Sequence, residues 1–265
     1  MCDPSLFAAR FFAVNAGTGA RRRHRPRLPS GTVTTANERR ELLKGVYERA
    51  RGCTRCPLHQ TRTNVVFGAG NADADLMFIG EAPGANEDRM GLPFVGQAGK
   101  LLDKLLAEIG LERKEVWICN VLKCRPPDNR DPQPNEIESC REYLLSQVEL
   151  IEPTVICTLG NFSTKLLRAD TTGISRLHGQ AETRIIGARA VRLYPLFHPA
   201  AALYTPSMLE TLRTDFQRLP DLLALGPPEQ PQVVEALPEP EVQDHEPEAS
   251  PDAGEPVGAT QLGLF

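Results

Sequence analysis

The stretch between residues 80 and 99, GEAPGANEDRMGLPFVGQAG, constrains the fold of this chain more than any other. A short apolar run at 76–79 precedes it, and an amphipathic segment at 100–109 follows it. Open α/β sheets present ligand sites through this succession of strand, glycine-rich loop and helix, at the carboxyl end of the strand. Glycine lets such a loop turn sharply and approach a ligand closely. The stretch therefore predicts a ligand-binding loop, and the alternative is a structural turn between strand and helix.

The side chains of this loop argue against a phosphate ligand. The loop contains neither GxGxxG nor GxxxxGK[ST], the glycine patterns of nucleotide-binding loops. Its acidic residues Glu81, Glu87 and Asp88 would also repel a phosphate group. We predict instead a neutral, polar, planar ligand, held by carboxylate and backbone groups, with Phe94 available to stack on it.

Apolar runs elsewhere in the chain predict further strands, and helical spacing predicts the segments between them. The predicted strands are 76–79, 116–122, 155–159 and 190–197, and the predicted helices include 37–51, 135–151, 162–168 and about 206–225. Strands that alternate with helices indicate a parallel sheet covered on both faces. We therefore predict an α/β fold.

Composition divides the chain into three parts. Residues 1–36 contain six Arg and one Asp, which predicts a disordered basic arm, and residues 37–225 carry the folded domain. Residues 226–265 contain nine acidic residues, eight prolines and no Lys or Arg, which predicts a disordered acidic tail. The domain between them is neutral, so its net charge is no argument for nucleic-acid binding. No run of 18 apolar residues and no secretory signal is present, and we expect a cytoplasmic protein without a membrane span.

Four cysteines are spaced like ligands. Cys53 and Cys56 form a CxxC pair, and Cys124 and Cys140 are separated by fifteen residues. Four thiolates hold either a tetrahedral zinc ion or a [4Fe–4S] cluster, and spacing alone leaves both open. The alternative is four unconnected thiols. Two further cysteines, Cys119 and Cys157, lie inside apolar strands and are predicted to be core residues.

Several motifs together resemble one family. GEAPG at 80–84, GLPFVGQAG at 91–99, NVLKCRPP at 120–127 and HPA at 198–200 resemble the iron–sulfur, family-four uracil-DNA glycosylases. The resemblance covers about residues 45–225. It implies the three-layer α/β/α sandwich of that superfamily, in agreement with the central, mainly parallel four-stranded sheet that the apolar runs predict. It also implies a structural [4Fe–4S] cluster and a uracil pocket. The implied cluster ligands are Cys53, Cys56, Cys124 and Cys140, and the implied pocket residues are Glu81, Ala82, Pro83, Phe94, Asn120 and His198.

The residue types suit the roles that the resemblance implies. A glycosylase takes its nucleotide out of the base stack, after which Phe94 can stack on the base and the Asn120 amide can bond its O4 and N3–H. His198 is placed to donate a hydrogen bond to the O2 of the departing uracil. Another branch of the superfamily carries a water-positioning Asp where this chain has Ala82, so no general base is obvious. Glu81 is then expected to act electrostatically, and Glu87 to do the same or to brace Asn129 across the pocket.

The C-terminal residues and the implied pocket indicate the partners of this protein. Gln261, Leu262, Leu264 and Phe265 resemble the short motif with which bacterial repair proteins dock on the β sliding clamp, and the tail before them would serve as a tether. Uracil-containing DNA, single- or double-stranded, is the expected substrate of a monomeric enzyme. The competing hypothesis is a non-catalytic iron–sulfur or zinc module that binds nucleic acid in a replication or repair assembly.

Overall fold

The computed structural model describes residues 35–231. The basic arm before Thr35 and the tail after Pro231, with the predicted clamp-binding residues, lie outside the described residues. The helices are α1 Ala36–Arg51, α2 Ala85–Met90, α3 Gln97–Glu108, α4 Pro134–Ile151, α5 Asn161–Arg168, α6 Ile174–Leu177, α7 Pro199–Ala202, α8 Pro206–Gln217 and α9 Leu219–Ala224. Two short 3-10 turns cover Pro57–Gln60 and Pro127–Asn129. None of the helices in the described part is long and apolar enough to cross a membrane.

A single sheet forms the centre of the described domain. Its strands are β1 Ala69–Gly70, β2 Leu76–Gly80, β3 Trp117–Asn120, β4 Val155–Leu159, β5 Glu182–Ile186 and β6 Arg189–Leu196, in the order β1-β3-β2-β4-β6-β5. The four predicted strands are adjacent and parallel, as β3-β2-β4-β6.

The predicted count of four strands is wrong, because two further strands pair antiparallel at the edges of the sheet. The first, β1, is two residues long and carries no periodicity. The second, β5, has the sequence ETRII, in which the partly buried Glu182 and Arg184 and the exposed Thr183 interrupt any apolar run. The described sheet is therefore mixed and six-stranded.

Helices cover both faces of the sheet, as expected from the alternation of strands and helices. Along β2, Leu76 and Phe78 pack with α3, α8 and α9, whereas Met77 and Ile79 pack with α1, α4 and α5. Successive side chains of a strand point to opposite faces, so a strand buried on both faces is apolar throughout. The three-layer α/β/α arrangement follows.

The last predicted helix is two helices in the structure. The segment predicted at about 206–225 divides at Arg218, between α8 and α9. Pro220 lies in the first turn of α9, where the missing N–H costs nothing, but in a continuous helix its ring would meet the carbonyl four residues earlier. The prediction of one helix is corrected for this reason.

Candidate functional site

Three of the predicted pocket residues meet at the carboxyl end of the parallel strands. Gly80 ends β2, Asn120 ends β3, and His198 lies just after β6. A Cβ atom on Gly80 would lie 2.3 Å from Oδ1 of Asn120 and 2.8 Å from the ring of Phe94. The Phe94 ring in turn stacks with the His198 ring, with centroids 5.7 Å apart and planes inclined by 27°. The fold thus brings Phe94, Asn120 and His198 together.

Asn120 keeps a free amide in this site. The residue is 2% exposed, and its backbone oxygen accepts a hydrogen bond from Nζ of Lys123 at 2.7 Å. Its side-chain amide takes part in none of the hydrogen bonds formed among residues 35–231. Buried amides are normally paired, since burial without a partner costs free energy. An unpaired amide at a strand end is therefore available to a ligand that offers both a donor and an acceptor.

The backbone at Phe94 is held in an unusual conformation. Its φ is +51°, in the left-handed region that aromatic residues rarely adopt. Nη1 of Arg113 donates to the Phe94 oxygen at 3.0 Å, and a Cβ on Gly99 would lie 1.7 Å from that oxygen. Oε1 of Glu87 accepts from the N–H groups of Val95 and Gly96, each at 2.9 Å. These contacts fix the ring of Phe94 over Gly80.

The predicted contact between Glu87 and Asn129 is corrected by these bonds. Glu87 braces the loop that follows Phe94. Oδ1 of Asn129 instead accepts from Nε of Arg125 at 2.8 Å, within the 125–130 turn. In the described chain the two side chains therefore support different loops. Sequence reasoning missed Arg113, which lies nineteen residues from Phe94 and belongs to no motif.

His198 is fixed in one tautomer. Its Nδ1 accepts a hydrogen bond from the N–H of Ala200 at 3.1 Å, so the ring proton belongs on Nε2. Burial lowers the pKa of His198 to about 4, against a smaller opposing effect of Glu87. Gly160, with φ +93°, allows this packing, because a Cβ there would lie 3.0 Å from Cβ of His198. The imidazole is neutral at pH 7 and can donate one hydrogen bond into the site.

Glu81, Ala82 and Pro83 follow β2 directly. Pro83 is buried, and the other two are partly buried. Burial, and then the negative charge of Asp131, raise the pKa of Glu81. Asp131 has no motif of its own and was not predicted, and only the path of the 125–133 loop brings it near Glu81. A carboxyl group in this setting ionises less readily than one in water.

The four predicted cysteine ligands lie on one side of the sheet, in the core shared with α1 and α4. Burial raises the pKa of Cys124, and repulsion from Cys56 and Cys53 adds to the effect. Burial likewise raises the pKa of Cys140 to about 12, with further repulsion from Cys124 and Cys56. The four thiols are therefore near enough for their charges to interact. Within residues 35–231, no group of three or more His, Cys, Asp or Glu side chains is placed to hold a metal ion.

Two arginines, Arg62 and Arg55, lie beside these thiols. Nη1 of Arg62 donates to Sγ of Cys124 at 3.3 Å. Arg55, inside the CxxC pair, forms an ion pair with Glu142 of α4 at 2.6 Å and lies 4.7 Å from the ring of Tyr143. Burial opposes ionisation of Cys53, but hydrogen bonds with Tyr143 and Arg55 outweigh it and lower its pKa. The predicted core cysteines, Cys119 and Cys157, are both fully buried, as expected.

Comparison with known proteins agrees with this geometry. Residues 67–221 match the model of the uracil DNA glycosylase superfamily, and the chain belongs to this superfamily. It is similar to the type-4 uracil-DNA glycosylase of Archaeoglobus fulgidus, with 46% identity over 186 residues that cover 69% of this chain and 94% of the relative. The type-4 enzyme of Thermotoga maritima is 46% identical over 166 residues, 62% of this chain and 85% of the relative. A type-5 uracil-DNA glycosylase of Pyrobaculum aerophilum is 30% identical over 173 residues, 58% of this chain and 71% of the relative.

Proposed function

We propose that this protein is a uracil-DNA glycosylase of DNA repair, which hydrolyses the N-glycosidic bond of uracil in DNA and leaves an abasic site. Its similarity to type-4 uracil-DNA glycosylases, at 41% to 46% identity, supports this function. The observation that carries the proposal is the convergence of Phe94, the free amide of Asn120 and the neutral His198 at one end of the sheet.

Recognition begins when the nucleotide leaves the base stack and enters the site. The Phe94 ring stacks on the planar base. The Asn120 amide donates to O4 of uracil and accepts from its N3–H, a pattern that cytosine, with an amino group at position 4 and no N3–H, does not match. Ala82 and Pro83 follow Gly80 and line the pocket beside the base. The role of each residue rests on its chemical type and its position at the strand ends.

Cleavage transfers the electron pair of the glycosidic bond to uracil and leaves positive charge on the sugar. Nε2–H of His198 donates a hydrogen bond to the O2 on which negative charge develops. One such donor lowers the barrier by roughly 3 kcal/mol. Glu81 acts electrostatically on the sugar cation, and water adds to the sugar after the bond has largely broken. The added water supplies a hydroxyl to the sugar and a proton to uracil, so that atoms and charge balance.

The test of this function is release of free uracil. The full chain is incubated with an oligonucleotide that contains one uracil, and with a matched oligonucleotide that contains thymine. We expect free uracil and an abasic site from the first and no product from the second. Binding of the first oligonucleotide without release of uracil would instead favour the non-catalytic nucleic-acid-binding module.

We also propose that Cys53, Cys56, Cys124 and Cys140 hold a [4Fe–4S] cluster with a structural role. A cluster binds each thiolate to a different iron, so its four ligand sulfurs lie farther apart than four sulfurs around one zinc ion. The resemblance to the iron–sulfur, family-four glycosylases supports the cluster, and the mutual repulsion of the four thiols supports their proximity. A bound cluster would join the CxxC segment to the loop after β3, which carries Cys124, and to α4, which carries Cys140. Arg62 would then donate to a ligand sulfur.

Metal analysis tests the cluster. Protein purified without oxygen should be brown and contain iron and acid-labile sulfide, whereas a colourless preparation with stoichiometric zinc would overturn the proposal. We expect Cys53→Ala and Cys140→Ala to reduce solubility before they reduce the rate of the chemical step. The matched control is Cys157→Ala, which removes a buried thiol from the core on the opposite face of the sheet.

The C-terminal residues Gln261, Leu262, Leu264 and Phe265 are proposed to bind the bacterial β sliding clamp. A glutamine amide can bond at the rim of an apolar groove that the leucines and the phenylalanine fill, while residues 226–260 act as a tether. The substitutions Leu264→Ala and Phe265→Ala should abolish clamp binding and leave activity on short oligonucleotides unchanged. Absence of clamp binding by the full chain at tens of micromolar would contradict this proposal.

We further propose that the protein works as a monomer in the bacterial cytoplasm. Sedimentation of the full chain tests whether it is a monomer.

A further inference from the structure

A buried lysine connects the cysteine core to the proposed uracil pocket. Lys123 lies between Asn120 and Cys124 in the sequence and is 1% exposed. Its Nζ donates to the backbone oxygen of Asn120 at 2.7 Å and to Oε1 of Gln147 at 2.7 Å. Lysine is rarely buried to this extent, because its ammonium group loses hydration. The position therefore calls for a reason beyond filling the core.

The partners of Lys123 are themselves fixed. Gln147 is fully buried in α4, and its Nε2 donates to the backbone oxygen of Phe67 at 2.8 Å. The backbone oxygen of Lys123 accepts from the N–H of Val66 at 2.8 Å. Lys123 and the 66–67 segment are thus joined twice. The lysine side chain reaches the segment through Gln147, and the lysine backbone oxygen bonds it directly. These hydrogen bonds fix the position of the Lys123 ammonium group.

The helix that carries Gln147 also carries Cys140. The two residues are seven positions apart, so they lie on the same face of α4. Cys124 follows Lys123 directly, and Asn120 precedes it by three residues. A chain of contacts therefore runs from the cysteine core through α4 and Lys123 to the backbone of Asn120. No other described side chain donates a hydrogen bond to that backbone oxygen.

We propose that Lys123 is a positioning residue for uracil recognition, which acts through Asn120. The side-chain amide of Asn120 has no hydrogen bond of its own among the described residues, so its position depends on its backbone. At the end of β3 the N–H groups of Val121 and Leu122 donate to the backbone oxygens of Gly80 and Glu81 at 3.0 Å each, and the bond from Lys123 adds a side-chain constraint on the Asn120 oxygen itself. Loss of the bond lets the amide move relative to the base, and displacements of this kind reduce rates steeply. This inference rests on the proposed function of the same site.

The test is a double-mutant cycle in the full chain, with Lys123→Met and Asn120→Ala. Methionine keeps the length of the apolar stem and removes the donor. We expect Lys123→Met to lower the single-turnover rate on a uracil oligonucleotide by about tenfold, and to weaken binding of free uracil by a similar factor. In the Asn120→Ala background the same substitution should have almost no further effect, since coupled residues are not additive.

Three further measurements separate the possible failures. Iron content and visible absorption of Lys123→Met should match those of the wild type, which separates positioning from loss of the cluster. Tyr194→Phe removes a buried hydroxyl that donates to the Asp215 oxygen at 2.9 Å, and this control should leave uracil binding unchanged. Gln147→Met keeps the bond between Lys123 and Asn120, and should give an effect of about threefold with the same loss of additivity.

The outcomes distinguish a wrong proposed function from a wrong role for Lys123. If wild-type protein releases no uracil, or Asn120→Ala leaves the rate unchanged, the proposed function or its site is wrong. If Asn120→Ala lowers the rate but Lys123→Met lowers it equally in both backgrounds, only the role of Lys123 is wrong. Should Lys123→Met fail to fold, the cycle with Gln147→Met gives the same decision.

Discussion

The two ends of the parallel strands both collect polar side chains, but the bonding at the two ends differs. At the carboxyl end, the Asn120 amide is free, Phe94 has a φ of +51°, and His198 keeps one N–H without a protein acceptor in the described chain. At the amino end, a cleft of about 230 Å³ is lined by Arg39, Glu152, Arg189 and their neighbours. Arg39 pairs with Asp73 and with Glu152, and Arg189 pairs with Glu152 at 3.6 Å.

The difference shows why a polar cluster in a cleft does not by itself identify a site. Ion pairs join the charged groups at the amino end, where Nε of Arg39 and Nε of Arg189 are buried and left without a hydrogen bond among the described residues. The hydroxyl of Thr154 donates to Asp75 at 3.1 Å. Polar groups at the carboxyl end are instead fixed by their neighbours while their ligand-facing atoms stay unpaired. Preorganised, unpaired donors and acceptors are what a catalytic site requires. We therefore expect substitutions at the carboxyl end to change activity, and substitutions at the amino end to change stability.

Removal of the proposed leaving-group donor should have the largest effect. His198→Ala is expected to lower the single-turnover rate on uracil oligonucleotides by about 10²–10³-fold, because the charge on O2 loses its donor. Binding of uracil-containing DNA should change much less. An unchanged rate would mean that the leaving group lies elsewhere in the site.

A methyl group on Gly80 should have the next largest effect. The Cβ of Gly80→Ala would lie 2.3 Å from Oδ1 of Asn120 and must displace the amide or the Phe94 ring. We expect a rate loss of about 10- to 100-fold, since small displacements of positioning groups are costly. The matched control is Gly45→Ala in α1, where nothing lies within 4 Å of the added atom. This control should keep full activity and gain up to about 1 kcal/mol of stability. Equal rates for both variants would contradict the geometry of the site.

Acid should destabilise the carboxyl end through His198. Burial lowers the pKa of this residue from 6.5 to about 4, so between these values the unfolded chain binds more protons than the folded one. Its contribution to stability is complete above pH 6.5 and is lost as the pH falls toward 4. Urea unfolding from pH 7.5 to 4.5 should show a shallower acid loss for His198→Gln than for the wild type, by at most about tenfold in the unfolding constant per pH unit. Parallel curves for the two proteins would remove His198 as the cause.

The amino end should show the smallest effect, confined to stability. Arg39→Ala removes the pairs with Asp73 and Glu152, whose carboxylates are 47% exposed and therefore screened by solvent. We expect a loss of about 1 kcal/mol in the free energy of unfolding, measured by urea titration. Uracil release should be unchanged. A large loss of activity with intact stability would show that the paired cleft has a function.

Local sequence pattern determined much of the fold. The four parallel strands are mostly apolar, because each is covered on both faces, and such an apolar run is visible without knowledge of the neighbouring strands. The glycine-rich loop and the cysteine spacing are also visible in the local sequence, whereas the pocket formed by Phe94, Asn120 and His198 was implied by the resemblance to the family-four glycosylases. Edge strand β5 was not predicted, because a half-exposed strand with charged positions resembles a loop in sequence.

The tertiary structure alone decided how these residues are held. Arg113 reaches Phe94 from nineteen residues away, and Glu87 bonds the loop after Phe94 rather than Asn129. Lys123 donates a hydrogen bond to Gln147, which lies twenty-four residues later in the sequence, on α4. A long charged side chain can reach many polar groups. It bonds those that packing has buried and that would otherwise lack a hydrogen-bond partner. Sequence thus specified which residues have the chemistry, whereas packing specified which of them are paired and which stay free for a ligand.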